Sequence, residues 1–471
     1  MPAKYHIHVR RVPPRYPAMA RTSVLDWGEG CLRCTKCVKQ ACPVEAYKKR
    51  DFDTTQFIDT IEEICRDCFR CVQGCPRELV FKAMNPRYQQ LGDDYWTPEI
   101  ISATWHQADS GKIPVSGAGY GGPFCGPGFD SIWTDMSEIV RPTRDGIHGR
   151  EYISTAIDLG RKPMFQAFDD RGNMLLSPSP QVEVPLPVLL AEPPLGPDPA
   201  RLHQMLAQAA GQLDTLALIP REAVNQDLEP YINRLAPQYG PAALNLPDPL
   251  LSRVRALELQ DHPGVLAAME TLRRQYPDLL VIIKVTADDQ VVNRVAELTA
   301  AGAGVIRLAG SDQGRGLGNC QELYLKDLVR RCHLRLVEDR LRDTVTLLLS
   351  GGIALAEHVA KAIICGADAV VADLPLLLAL ECRLCRQCAE GNACPIELNE
   401  LPVRRGAQRM VNLVGAWNNQ LLEILGAMGM REVRRLRGEV GRAMFLEDLE
   451  KEIFAPLFAG REGEMLKREP T

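Results

Sequence analysis

Twelve of the chain's 16 cysteines fall into three tight sets whose spacing suits metal binding. The first is Cys31, Cys34, Cys37 and Cys42; the second is Cys65, Cys68, Cys71 and Cys75; the third is Cys382, Cys385, Cys388 and Cys394. In each set two-residue gaps separate the first three cysteines, a longer gap precedes the fourth, and a proline follows it. Two-residue gaps let a tight loop turn three sulfurs toward neighbouring corners of a cubane, and the proline ends the loop. Structural zinc is the rival chemistry, but zinc sites favour paired Cys-x2-Cys knuckles. Cys125, Cys320, Cys332 and Cys365 lie in apolar or helical surroundings and read as buried, inert thiols.

The first two sets resemble the two-cluster bacterial ferredoxin run, which spans Ala20–Lys82 here. In that pattern the fourth cysteine of each run serves the other cluster. The resemblance therefore implies one [4Fe–4S] centre on Cys31, Cys34, Cys37 and Cys75, and a second on Cys65, Cys68, Cys71 and Cys42. The first run has four residues before its last cysteine where three are usual. The third set stands alone and reads as the seat of a single cluster, with a three-iron cluster or zinc as alternatives.

The rest of the chain must position these loops. At 471 residues, 46% hydrophobic and 24% charged, it is sized for about three globular domains at roughly 150 residues each. A net charge of −5 argues against a nucleic-acid partner. The first residues lack the apolar stretch of a secretory signal, and no apolar run reaches the roughly 18 residues of a membrane span. The expectation is a cytoplasmic protein with reduced thiols.

Residues 85–180 form a Gly/Pro-rich connecting segment, and Gly117-x-Gly-x-Gly-Gly122 within it reads as a structural loop, since no strand precedes it. From Glu183 short apolar runs alternate with helical patterns. The strands are expected at Pro185–Ala191, Thr215–Ile219, Ala242–Leu246, Arg255–Gln260, Leu279–Val285, Val305–Ala309, Thr344–Leu349 and Ala369–Ala372. Helices are expected at Pro199–Leu213, Gly264–Gln275, Gln290–Ala301 and Leu355–Ile364. Eight such units in about 200 residues fit a TIM-barrel-like (β/α)8 domain, with an open doubly wound sheet as the alternative. The fold class is thus α/β. Residues 20–84 form a ferredoxin-like 2[4Fe–4S] domain, 181–380 the barrel, and 381–471 a cysteine-rich loop and helical tail. Within that tail Met428–Gly438 reads as a cationic amphipathic stretch.

Chemistry in a barrel gathers at the C-terminal strand ends, and a phosphate site often follows strands seven and eight. That places Glu258-Leu-Gln260 after strand four, Lys284 at the end of strand five and Gly310–Gly318 after strand six. Strand seven runs into Ser350-Gly351-Gly352 and a helix start, which suits a phosphate.

At these residues the chain resembles the FMN-dependent glutamate synthase family, in particular stand-alone synthase-domain proteins with an N-terminal ferredoxin module. The matching passages are Tyr95–Ile100, Thr134–Ser154, Val281–Val285, Ser350–Gly352 and the cysteine-rich segment after the last strand. The resemblance implies a barrel holding FMN beside an iron–sulfur centre, reducing the imine formed from 2-oxoglutarate and ammonia. It assigns the cofactor to Lys284, Gly310, Ser311, Gly314, Ser350, Gly351 and Gly352, with Lys284, Gln313 and Arg315 as catalytic or carboxylate-holding residues. Three mouth segments depart from the family pattern: Leu218-Ile-Pro-Arg-Glu222, Gln260-Asp-His-Pro-Gly264 and Asp312-Gln-Gly-Arg-Gly316. Residue 2 is Pro, not the cysteine nucleophile of a glutaminase domain, and no nicotinamide fingerprint is present. The implied partners are an electron donor protein (a ferredoxin or an NAD(P)H-oxidising flavoprotein subunit), a separate glutaminase subunit and a small oxo or imino acid. The rival reading is an electron-transfer subunit of a larger redox complex, its barrel a scaffold.

Overall fold

The computed structural model describes residues 5–16, 19, 22–25, 34, 36–45, 58–59, 65, 68–113, 128–134, 153–161, 168–174, 179–196, 198–241, 244 and 247–458. The expected features at Cys31, Cys125, 117–122 and 135–152 lie outside those residues.

Eight parallel strands close into one barrel. They are β1 (Val188–Ala191), β2 (Ala217–Pro220), β3 (Leu235–Tyr239), β4 (Ala256–Gln260), β5 (Leu280–Thr286), β6 (Val305–Ala309), β7 (Thr346–Ser350) and β8 (Ala369–Ala372). Each pairs with the next, and Val370 opposite Val188 joins β8 back to β1, so no edge is left open. The TIM-barrel expectation holds. Both faces of the strands are buried, as a barrel wrapped by helices requires: Leu347, Leu348, Leu349, Val370 and Val371 are all fully enclosed.

The helices follow the sequence pattern closely: Pro199–Leu213, Val265–Gln275, Val291–Ala300 and Ala356–Ile364. Pro199–Leu213 begins with Asp198 accepting the Arg201 N–H and Pro199 in the first turn, a strong start signal.

The third unit differs from expectation. Its strand is Leu235–Tyr239, not Ala242–Leu246, of which only Leu244 is among the described residues and lies in no strand. Pro237 sits inside β3, opposite Ile219. Proline has no N–H to give a ladder, so the run reads as a poor strand; burial of Leu235, Ala236 and Tyr239 outweighs that loss. The crossover from β2 to β3 is also unusual, built from 3-10 turns at Arg221–Ala223 and Gln226–Arg234, the latter interrupted by Pro230.

Outside the barrel, Val403–Ala427 is a 25-residue helix that packs on Pro199–Leu213, Pro98–Ser110 and Ala356–Ile364. Residues 5–16 lie across it as an extended strap. Asn412 Oδ1 accepts the Arg10 N–H at 3.0 Å, and its Nδ2 donates to the Arg10 carbonyl at 2.6 Å. Gly415 leaves room for Val9 and Ile7, whose side chains a Cβ there would strike. Thr22–Leu25, Ile58–Asp59 and Phe81–Met84 form a small antiparallel sheet with Thr22–Leu25 central.

The cationic stretch at 428–438 is not the amphipathic helix expected. The long helix ends at Ala427, and Gly429 turns left-handed. Arg434 pairs with Asp158 at 3.0 Å, and Arg437 with Asp368 and Asp343 at 3.1 and 2.6 Å. Two of its arginines thus pair with acidic groups elsewhere in the fold, while Arg431 and Arg435 stay exposed.

Candidate functional site

The third cysteine set follows β8 through the short helix Leu374–Ala379. Glu381, Leu384 and Arg386 all adopt left-handed backbone, with φ of 74°, 51° and 57°. These reversals curl the chain so that Cys382, Cys385, Cys388 and Cys394 line one cavity, together with Leu195 and Ile396. The Leu384 N–H points at Cys382 Sγ at 3.4 Å. Burial pushes the Cys382 thiol up to about 12, and the three neighbouring thiols push the same way.

The second set shares this local design. Phe69, one residue after Cys68, is left-handed like Arg386 after Cys385, and a short helical turn carrying Cys71 or Cys388 follows in each case. A further signal passed unread in the sequence: Cys-Pro-x-Glu occurs at Cys42–Glu45, Cys75–Glu78 and Cys394–Glu397. All three glutamates are left-handed, with φ of 54°, 56° and 48°. The Leu79 N–H reaches Cys75 Sγ at 3.4 Å. Burial alone would raise the Cys75 thiol, but the N–H groups of Leu79, Arg77, Val80 and Glu78 outweigh it and hold it below its ordinary value. Cys37 and Cys71 are buried, Cys42, Cys65 and Cys75 half-buried, and Cys34 and Cys68 exposed.

The C-terminal end of the barrel holds the second half of the site. Glu258 on β4 and Arg307 on β6 form a buried ion pair, with Arg307 Nη1 at 3.1 and 2.9 Å from the two carboxylate oxygens. Gln238 on β3 donates to Glu258 at 2.8 Å, and Arg307 Nε donates to Ser350 Oγ on β7 at 3.0 Å. Charged side chains this deep persist only when paired. Lys284 on β5 lies beside Arg307 in register. It is half-buried, and burial, then the nearby Arg307, pulls its ammonium below the usual lysine range. Asp373, just past β8, is pushed the other way, chiefly by burial and further by Asp312. Sequence reading missed Arg307 and Asp373. The available signal was a lone arginine in the apolar run Val305–Ala309, on a strand neighbouring those of Lys284 and Ser350.

The loops after β6 and β7 pack on each other. Gly351 and Gly352 have φ of 108° and 65°, and a Cβ on either would collide with Ser311 or Gly314 backbone. The Ser311 hydroxyl accepts the Arg315 N–H at 3.0 Å, and the Gly310 N–H donates to the Ser350 carbonyl at 3.0 Å. Gly310, Ser311, Gly314, Ser350, Gly351 and Gly352 are thus brought together, and Lys284 joins them through Arg307. Arg315 is not aimed at them. It stacks over Tyr324, 4.6 Å from the ring centre, and donates to its hydroxyl. Gln313 is half-exposed on the same loop.

Residues 247–431 match the family model described as the conserved region in glutamate synthase. The chain carries a glutamate synthase domain. It is 26% identical over 468 residues to the archaeal-type glutamate synthase [NADPH] of Dehalococcoides mccartyi, covering 87% of this chain and 92% of that protein. It is 25% identical over 500 residues to the archaeal glutamate synthase [NADPH] of Archaeoglobus fulgidus, covering 91% and 95%. Among solved structures, a flavocytochrome b2 variant with pyruvate bound aligns with 73% of this chain and 94% of its own, at 13% identity and a TM-score of 0.41, too distant to bear on the site. This synthase domain makes the chain a glutamate synthase-like oxidoreductase. No helix among the described residues is long and apolar enough to cross a membrane.

Proposed function

We propose that this glutamate synthase-type oxidoreductase is an iron–sulfur protein that passes electrons from its N-terminal cysteine sets, through the third set, to the mouth of the barrel, where an imino or oxo acid is reduced. The observation that carries this reading is the third loop. Its four thiols line one cavity, and Arg386 among them bonds Asp312 on the β6 loop at 2.9 Å. The run Cys382-x2-Cys385-x2-Cys388 followed by Cys394-Pro395 supports a polynuclear cluster over zinc, whose sites favour paired Cys-x2-Cys knuckles.

FMN is the group the family resemblance supplies, and when bound it would carry the redox exchange with the organic substrate. The bare backbone of Gly351 and Gly352 ahead of the helix at Ala356 suits its phosphate. Lys284, a half-buried cation, would stand near its ring. The substrate proposed by resemblance is the imine of 2-oxoglutarate and ammonia, with Gln313 as a carboxylate-holding candidate. Electrons would come from a ferredoxin or an NAD(P)H-oxidising flavoprotein, and ammonia from a separate glutaminase. The proposed setting is the cytoplasm.

A second reading is an electron-transfer subunit with a scaffold barrel. It is favoured by the Ser350 hydroxyl being held by Arg307 and the Gly352 carbonyl accepting the Tyr95 hydroxyl at 2.5 Å. One experiment separates the two. Anaerobically purified protein, reconstituted with iron, sulfide and FMN, should show cluster absorbance and retain flavin after gel filtration. Clusters without retained flavin select the second reading; fewer than about eight irons per chain defeats both.

A further inference from the structure

The turn at residues 92–96 grips three separate parts of the molecule. Its own shape is set by Asp93 Oδ1, which accepts the N–H groups of Tyr95 and Trp96 at 3.0 and 2.9 Å. From that turn the Gly92 N–H donates to the Arg383 carbonyl in the third cysteine loop at 3.3 Å. The Tyr95 hydroxyl donates to Gly352 after β7, and the fully buried Trp96 donates its indole N–H to the Asp312 carbonyl after β6 at 3.0 Å.

Arg386 closes the arrangement. A single nitrogen, Nη2, donates to Asp93 Oδ2 and to Asp312 Oδ2, both at 2.9 Å. Arg386 lies one residue after Cys385 and two before Cys388, lines the cysteine cavity with them, and carries its guanidinium to the two carboxylates. Without it, two carboxylates from different segments would face each other uncompensated.

We propose that Arg386, seated on Asp93 and Asp312, is the positioning residue that holds the third cysteine loop at one fixed separation from the barrel mouth and sets the charge felt by the group on that loop. This rests on the reading that Cys382, Cys385, Cys388 and Cys394 bind a cluster. Electron transfer falls off steeply with distance, so a loop bearing a redox centre gains from a rigid tie to its acceptor. A guanidinium one residue from a ligating thiolate also favours the reduced cluster, the state with one more negative charge.

The test uses the full chain with its clusters reconstituted. The third-cluster signal in electron paramagnetic resonance is identified as the one lost in Cys388→Ala. Arg386→Gln, Arg386→Lys and the double variant Arg386→Gln/Asp312→Asn are then compared by iron content, potentiometric titration and hydrogen–deuterium exchange. The residues are part-exposed, so the expected rise in exchange for Arg386→Gln is about two- to fivefold, and it should appear in both 310–316 and 383–391. Its third-cluster midpoint should fall. Arg386→Lys should restore the midpoint but only part of the protection, because the shorter lysine side chain does not carry its ammonium as far as Nη2 reaches. The double variant should recover protection relative to Arg386→Gln by removing the facing charge. Exchange that rises only in 383–391, or nowhere, overturns the proposal, as does a midpoint that Lys fails to restore. If Cys388→Ala costs no iron, the cluster reading itself fails, while the exchange comparison still stands alone.

Discussion

The third cysteine loop and the barrel mouth are neighbours that use their polar groups in opposite ways. In the loop, four thiols line one cavity, and Cys382 Sγ receives the Leu384 N–H. At the mouth, Glu258, Arg307, Gln238 and Ser350 are engaged with one another. Lys284 lies beside Arg307 in register, and burial, then Arg307, holds its ammonium below the usual lysine range. Thiols gathered in one cavity suit a shared ligand, whereas a network of paired side chains holds the strands together. The comparison predicts that substitutions in the loop change composition, and substitutions at the mouth change stability.

The largest effect should come from Cys388→Ala, which is expected to remove about four irons per chain and leave the barrel's melting temperature nearly unchanged. Iron analysis beside calorimetry reads both. Cys75→Ala should likewise destroy the cluster on Cys31, Cys34 and Cys37; loss of the other N-terminal cluster alone would show that the crossed ligation is wrong.

Arg307→Met should have the opposite profile. It strands Glu258, which is 1% exposed, and should cost about 3–5 kcal/mol by chemical denaturation with iron content intact. Adding Glu258→Gln should return much of that loss. Gly352→Ala forces a Cβ into Gly314 at a left-handed φ of 65° and should cost about 1–3 kcal/mol. Lys284→Met should shift stability by less than about 1 kcal/mol but reduce flavin retention, and an unchanged flavin yield would remove Lys284 from the cofactor site.

The smallest effect is a pH dependence. Asp373 holds its proton above the ordinary carboxylate value of 3.8 when folded. Its stabilising contribution is therefore complete below that value and is lost as pH rises through the raised folded value. Melting curves between about pH 4 and about pH 7 should fall more steeply for the natural chain than for Asp373→Asn. Equal slopes would mean that Asp373 titrates normally.

The two regions were also unequally legible. Cysteine spacing is local, so the three loops could be read directly, and even the left-handed glutamates repeat as a four-residue word. Helices such as Pro199–Leu213 were legible from caps and apolar periodicity. The mouth was not, because its pairs are assembled by the barrel's closure: Arg307 meets Ser350 43 positions away, and Tyr95 meets Gly352 257 positions away. Arg315, which looked free in its glycine-rich loop, is held by Tyr324, a contact that only the fold creates. Strand β3 was hidden by Pro237, whose cost is repaid by burial that one segment's pattern does not display.

The strap has a consequence for how the molecule is made. Arg10 finds its partner, Asn412, 402 positions later. A chain emerging from the ribosome therefore presents its first two cysteine sets long before the helix that anchors the strap exists. The strap closes only once that helix has been made. Proteolysis of stalled nascent chains should show residues 5–16 exposed until the helix ending at Ala427 has emerged, and protected thereafter.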